Sequence, residues 1–259
     1  MNSLFLRLRS QKKAGQKLAT LTAYDYPMGR LLDGLSLDFL LVGDSLGMVI
    51  LGHPDTTSVT MADMEHHTAA VARGATRTPV IADLPIHSID TPEDALRNAR
   101  RLIAVGAHAV KAEGGHESLP AIQAILDDGI PVVGHLGMLP QRVKNEGGYR
   151  VKGRTPAQAE VLLSDARALD AAGVAAIVLE LVLPPLAREI SQAIAAPTIG
   201  IGSGPDCDGQ ILVTHDLLGL FPWFTPGFVQ PKAQLAGEIE KAVAEYVSET
   251  RKSADRLNS

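Results

Sequence analysis

Ten polar residues stand at or just past the ends of short apolar runs: Tyr24, Asp25, Asp44, Ser45, Asp83, Lys111, Glu113, His135, Glu180 and Ser203. Their types are those of metal and acid–base chemistry. Asp44, Asp83 and Glu113 come from three successive runs along the chain. Crowded carboxylates repel one another, and a cation is the natural way to keep them ionised. An all-oxygen ligand set suits a hard ion such as Mg2+, with water and substrate oxygens completing the shell. The competing role for each acid is an N-cap in the loop that opens a helix. Lys111 lies two residues before Glu113, so both leave a strand on one face. It can meet a substrate carboxylate or pair with Glu113. Glu180 ends the run Ala176-Ile177-Val178-Leu179, which partly desolvates its carboxyl and suits it to proton transfer; a salt bridge to Lys or Arg is the alternative. His135 is open to three roles: acid, ligand or hydrogen-bonded bystander. His66 and His67, adjacent on a helix, diverge and make no zinc pair. Gly200-x-Gly-x-Gly resembles a phosphate loop, though three glycines alone are weak grounds.

What positions these residues is a repeat of strand and helix. Strand-like runs are 18–23, 38–42, 79–82, 108–111, 131–134, 175–179 and 197–201. Each is short, continuous and apolar, as expected of strands buried on both faces. An eighth is expected at 211–214. Helical patterns lie between them: 60–75; one opened by Thr91-Pro92-Glu93-Asp94; one opened by Thr155-Pro156 and ended by Gly173; 184–194; and a charged, amphipathic one at 238–251. Thr before Pro with acids following is an N-terminal signature, and Gly is a C-terminal one. The repeat, with no glycine-rich dinucleotide fingerprint after the first strand, predicts an α/β fold: one (β/α)8 TIM barrel spanning residues 1–259 as a single domain. In such a barrel the C-terminal strand ends converge on one face, so the ten polar residues would share a mouth. Charges there cost free energy unless paired or metal-bound, which makes the convergence informative.

Composition narrows the rest. Of 259 residues 46% are hydrophobic but only 4% aromatic, so the core is built from small and branched aliphatics. The net charge of -5 argues against nucleic acid as a partner. The single cysteine, Cys207, allows no internal disulfide and fits a cytoplasmic protein. No apolar run approaches the roughly 20 residues of a membrane span. The first 17 residues carry Arg7, Arg9, Lys12, Lys13 and Lys17 and no acid, a pattern shared with transit peptides. They lack an apolar stretch, and the first strand is expected directly after them.

The chain resembles the ketopantoate hydroxymethyltransferase family along residues 17–247. The segments that carry the resemblance are LTAYDY (21–26), LVGDSLGM (41–48), HTAAVARGA (67–75), IADLP (81–85), VKAEGG (110–115), VVGHLGMLPQ (132–141), GGYRVKGR (147–154), LELVLPP (179–185) and GIGSGPDCDGQILV (200–213). Each is weak alone; nine in order are specific. The resemblance implies a (β/α)8 barrel that uses Mg2+ and 5,10-methylenetetrahydrofolate to convert 3-methyl-2-oxobutanoate to ketopantoate on the way to coenzyme A. It implies a metal-coordinating Asp44 beside a substrate-contacting Ser45, a second carboxylate at Asp83, a substrate-contacting Lys111, a metal-site Glu113, and Glu180 as proton acceptor. It also implies a homo-oligomer, typically a decamer. Two places depart from the family pattern: the proline after Glu180 is displaced by one residue, and a C-terminal segment with a Lys-Phe pair is replaced by TPGFVQPK (225–232). Two other functions fit a barrel of this kind: a Mg2+-dependent C–C lyase of the isocitrate-lyase type, which would often carry a reactive cysteine in a loop, and a non-catalytic anion-binding barrel.

Overall fold

The computed structural model describes residues 3–255. Eight strands run β1 (Leu18–Thr22), β2 (Phe39–Val42), β3 (Val80–Asp83), β4 (Ala109–Glu113), β5 (Val132–Gly137), β6 (Ala176–Glu180), β7 (Thr198–Ile201) and β8 (Gly209–Leu212). They pair in chain order, parallel throughout, into a closed barrel. Ten helices accompany them: α1 (Ser3–Lys13), α2 (Tyr26–Leu32), α3 (Leu46–Val49), α4 (Met61–Gly74), α5 (Pro92–Ala104), α6 (Leu119–Asp127), α7 (Pro156–Ala172), α8 (Pro184–Ala193), α9 (Thr214–Leu218) and α10 (Leu235–Asp255). This is the (β/α)8 barrel the repeat predicts. Contacts divide the chain into two compact units, one up to Ile211 and one from Leu212 onward.

The helix signals act as expected. Thr60 and Asp63 form a reciprocal capping box at the start of α4. Thr91 accepts from the Asp94 N–H at 3.1 Å and Thr155 from the Gln158 N–H at 3.3 Å. Pro92 and Pro156 follow in the first turn, where a missing N–H costs nothing. Gly173 closes α7 at φ +94°, a left-handed turn that an L side chain resists.

Three features differ from expectation. The basic start is a helix: Leu4 and Leu8 of α1 belong to the same buried cluster as Leu18, Phe39, Leu41, Ile81, Ala109, Val133 and Val178 of the strands. Two of its cations meet acids from distant parts of the chain. Arg9 pairs with Asp170 at 2.9 Å, and Lys12 pairs with Asp208 at 2.9 Å and donates to the Ser191 carbonyl at 2.7 Å. The eighth strand begins two residues before its expected start, at Gly209, because Val213 caps α9 and Thr214 opens it. The terminal helix α10 is also longer than 238–251.

In the second unit, Gly219 at φ +62° ends α9, and the Lys232 N–H donates to the Leu217 carbonyl at 2.7 Å. No helix among the described residues is long and apolar enough to cross a membrane.

Candidate active site

Strand alternation builds the site. Ile81, Ala109, Val133 and Val178 face the barrel interior. Side chains two residues further along each strand face the same way, which directs Asp83, Lys111, Glu113, His135 and Glu180 inward at the C-terminal end. Register then chooses neighbours: Asp83 stands beside Lys111, and Glu113 beside His135. Glycine makes room. A Cβ on Gly43 would lie 2.9 Å from Ser45 Oγ and 3.5 Å from Asp83 Oδ2. Gly137, at φ +99°, lies against the Glu180 carbonyl, where a side chain would collide.

Asp44, Asp83, Lys111, Glu113 and His135 are each 5% exposed or less. Lys111 Nζ donates to Asp83 Oδ1 at 2.5 Å. Of the two partners open to it, Glu113 is thus not the one taken; the register across β3 and β4 puts Asp83 closer. Asp83 Oδ2 accepts the Asp44 N–H at 3.0 Å, fixing the turn after β2. Gln141 Nε2 donates to Asp44 Oδ2 at 2.9 Å and to the Leu84 carbonyl at 3.0 Å, and its backbone N–H reaches Glu113 Oε2 at 3.3 Å. His135 lies between two carboxylates, with Nδ1 3.3 Å from Glu113 Oε1 and Nε2 3.2 Å from Glu180 Oε2. These are ion-pair distances without hydrogen-bond alignment; Glu113 Oε1 is buried with no hydrogen-bond partner.

The charges are mutually adjusted. Burial raises the Asp44 pKa, and Asp83 and Glu113 raise it further; Lys111 and Gln141 oppose them without prevailing. Burial disfavours the Lys111 ammonium, but Asp83, Asp44 and Glu113 outweigh it and push the pKa up. Burial and Lys111 would lower the His135 pKa; Glu113 and Glu180 overcome both and lift it to about 9.

The other sequence-selected residues divide. Tyr24 Oη and Ser45 Oγ are 2.7 Å apart, so Ser45 is held at the mouth. Asp25 is an N-cap, accepting the Met28 N–H at 2.7 Å at the start of α2. Ser203 is a bolt: it donates to the Leu179 carbonyl at 2.7 Å and accepts the Val182 N–H at 3.0 Å. Between them Leu181, directly after Glu180, has φ +47°. A branched side chain in that region is strained, and such strain concentrates at functional sites. None of Asp44, Asp83 and Glu113 caps a helix.

Two residues at the site carry no expectation from the sequence. One is Gln141. The other is Tyr149, on the long connection between β5 and α7, whose hydroxyl donates to Met48 Sδ at 3.6 Å. Burial and then the charges of Glu180 and Asp44 push its pKa upward, so the phenol stays protonated. The segments LGMLPQ and GGYRVKGR contained both, but neither an amide nor a tyrosine in a loop is a chemical signal by itself.

Among the described residues, no three His, Cys, Asp or Glu side chains converge into a ready metal cage. The donors instead fit a hard divalent cation that takes one or two carboxylates and completes its shell from water and substrate. Glu113 Oε1, buried with His135 Nδ1 at 3.3 Å but no aligned hydrogen bond, and the upward-shifted Asp44 mark crowded negative charge at that point.

Residues 4–254 match the family model described as ketopantoate hydroxymethyltransferase. The 3-methyl-2-oxobutanoate hydroxymethyltransferase of Syntrophus aciditrophicus is 50% identical over 246 residues, 94% of this chain and 90% of that one. The enzyme of the same name from Pyrobaculum neutrophilum is 53% identical over 233 residues, 90% of this chain and 89% of that one. Among solved structures, a phosphonopyruvate hydrolase in complex with oxalate and Mg2+ superposes with a TM-score of 0.63 at 14% identity, covering 98% of this chain and 88% of that one. At that identity the likeness concerns the fold.

Proposed function

The chain belongs to the ketopantoate hydroxymethyltransferase family of enzymes, and from that premise we propose that it moves a one-carbon unit from 5,10-methylenetetrahydrofolate to C3 of 3-methyl-2-oxobutanoate. The product is 2-dehydropantoate, made for pantothenate biosynthesis. One observation carries the reading: a buried carboxylate–lysine cluster and a carboxylate poised for proton transfer open on one barrel mouth, bridged by His135.

Asp44 and Asp83, with Glu113 beside them, are the residues that would hold Mg2+. When bound there, the ion supplies Lewis acidity toward the keto oxygen of a 2-oxo acid. Lys111, fixed by Asp83, offers positive charge to the substrate's oxygens, and Ser45, held by Tyr24, offers a hydroxyl. Glu180 is 15% exposed, the most open of the site carboxylates, and stands where a substrate can reach it. It takes the C3 proton. The C–H electron pair passes into the keto group. Water opens the folate's methylene bridge at one C–N bond and leaves its oxygen on that carbon as the hydroxyl. C3 bonds to the same carbon as the second C–N bond breaks, and the two folate nitrogens take up the water proton and the proton that Glu180 removed, releasing tetrahydrofolate. We also take the chain to act as a cytoplasmic homo-oligomer.

The lyase reading loses its distinguishing residue. Cys207 is buried, and burial pushes its thiol pKa up, the reverse of an activated nucleophile. Replacing Glu180 by Gln tests the proton assignment. Turnover should fall about 10²–10⁴-fold, the usual worth of a positioned base, while 3-methyl-2-oxobutanoate binds nearly as before. Normal turnover in Glu180→Gln would remove Glu180 from the mechanism.

A further inference from the structure

We propose that Gln141 is a positioning residue that holds Asp44 and Glu113 in the geometry of the divalent-cation site, an inference that rests on the cation reading above. Gln141 spends every donor it has on this mouth. One amide N–H reaches Asp44 Oδ2 at 2.9 Å and the other the Leu84 carbonyl at 3.0 Å. Its backbone N–H faces Glu113 Oε2 at 3.3 Å. Leu84 directly follows Asp83 and donates its own N–H to the Lys111 carbonyl at 2.9 Å. A single residue from beyond β5 thus ties together the C-terminal ends of β2, β3 and β4, the three strands that deliver the carboxylates.

The chemistry of the amide fits this role. It donates without bringing charge, so it orients carboxylates and leaves them anionic for a cation. A lysine there would neutralise Asp44 and compete with the ion; a glutamate would add a further negative charge to a crowded pocket. Each bond from Gln141 occupies one oxygen of its carboxylate. On Glu113 that is Oε2, and the other oxygen, Oε1, is buried with no aligned hydrogen bond and faces His135 Nδ1 at 3.3 Å. Groups that orient ligands from outside the coordination shell typically contribute 10–100-fold to metal affinity. The backbone around Gln141 is set in advance: buried Pro140 opens the tight turn Pro140–Arg142, and the Arg142 N–H donates to the Leu139 carbonyl at 2.9 Å.

The test is Mn2+ binding, read by electron paramagnetic resonance of the free ion, on the wild type, Gln141→Met and Asp83→Ala. Metal-free melting temperature and the dependence of kcat on Mn2+ accompany it. Methionine keeps the length of the side chain and the backbone N–H but removes the amide; Gln141→Ala serves if the Met variant folds poorly. The expected result is a Mn2+ Kd raised about 10–100-fold in Gln141→Met, with the metal-free variant still folded at the assay temperature and kcat recovering at saturating Mn2+. A variant that binds Mn2+ as the wild type does, while Asp83→Ala does not, overturns the role of Gln141 and leaves the cation site standing. A wild type that binds no Mn2+ overturns both.

Discussion

Asp33 and Asp44 are both acids in tight surroundings, and hydrogen bonding separates their behaviour. Asp33 accepts from the backbone N–H groups of Thr76, Arg77 and Thr78, at 3.2, 3.0 and 2.8 Å. Burial would raise its pKa; these donors outweigh burial and hold it far below the usual carboxylate range. Asp44 accepts one bond from Gln141 and faces other carboxylates, so its pKa rises. The sign for Asp33 follows from linkage: a depressed folded pKa adds stability above the unfolded value of about 3.9, and the gain is lost as pH falls toward the folded value. Asp33→Asn should therefore cost about 1–3 kcal/mol at pH 7, with the difference from wild type shrinking below about pH 4. Urea unfolding across pH checks this; a difference that does not vary with pH would mean that the charge is irrelevant. The site acids, Lys111, His135 and Glu180 were legible because a two-residue step along each strand converts position into direction. Partners were not. That Lys111 meets Asp83 depends on register between strands, which one strand's sequence does not encode, and Asp25 and Ser203 show that a polar residue at a strand end can serve the backbone instead.

Helix α1 shows how an element escapes a reading by composition. Its arginines and lysines dominate the first 17 residues, and among the described side chains Leu4 and Leu8, one turn apart, carry the apolar stripe. Their partners are barrel-interior side chains from distant strands, so the stripe has meaning only in three dimensions. Leu8→Ala should cost about 2–5 kcal/mol, the range for a buried leucine, measured by urea unfolding. The kcat of the folded enzyme should be unchanged, because the buried cluster that Leu8 joins includes none of the site residues. A cost below about 1 kcal/mol would mean that α1 does not complete the core. The eighth strand, expected at 211–214, has shifted bounds for another reason. Gly209 and Gln210 are not apolar, and the apolar residues 211–213 straddle a strand end and a helix cap. Strands β2 to β7 are buried along nearly their whole length, where continuous apolar runs have one explanation.

For the whole molecule, the repeat of strand and helix fixed the architecture more firmly than any single element, since closure requires that all eight agree. What a single chain's repeat does not contain is what its outer surfaces meet. Ile239, Val243 and Tyr246 of α10 recur at helical spacing and are 53%, 55% and 68% exposed. An amphipathic helix with an open apolar stripe fits the proposed homo-oligomer. Sedimentation velocity should find the wild type associated, and Ile239→Glu combined with Val243→Glu should shift it to smaller species; a monomeric wild type would contradict the assembly. The central claim is the joining of a cation site and a proton acceptor on one barrel mouth for one-carbon transfer. Its most direct test is turnover of 3-methyl-2-oxobutanoate with 5,10-methylenetetrahydrofolate, with and without Mg2+, in wild type and Asp83→Ala. The wild type should form ketopantoate only with the metal present, and Asp83→Ala should form none. Equal turnover without any divalent ion, or full activity in Asp83→Ala, would contradict the claim.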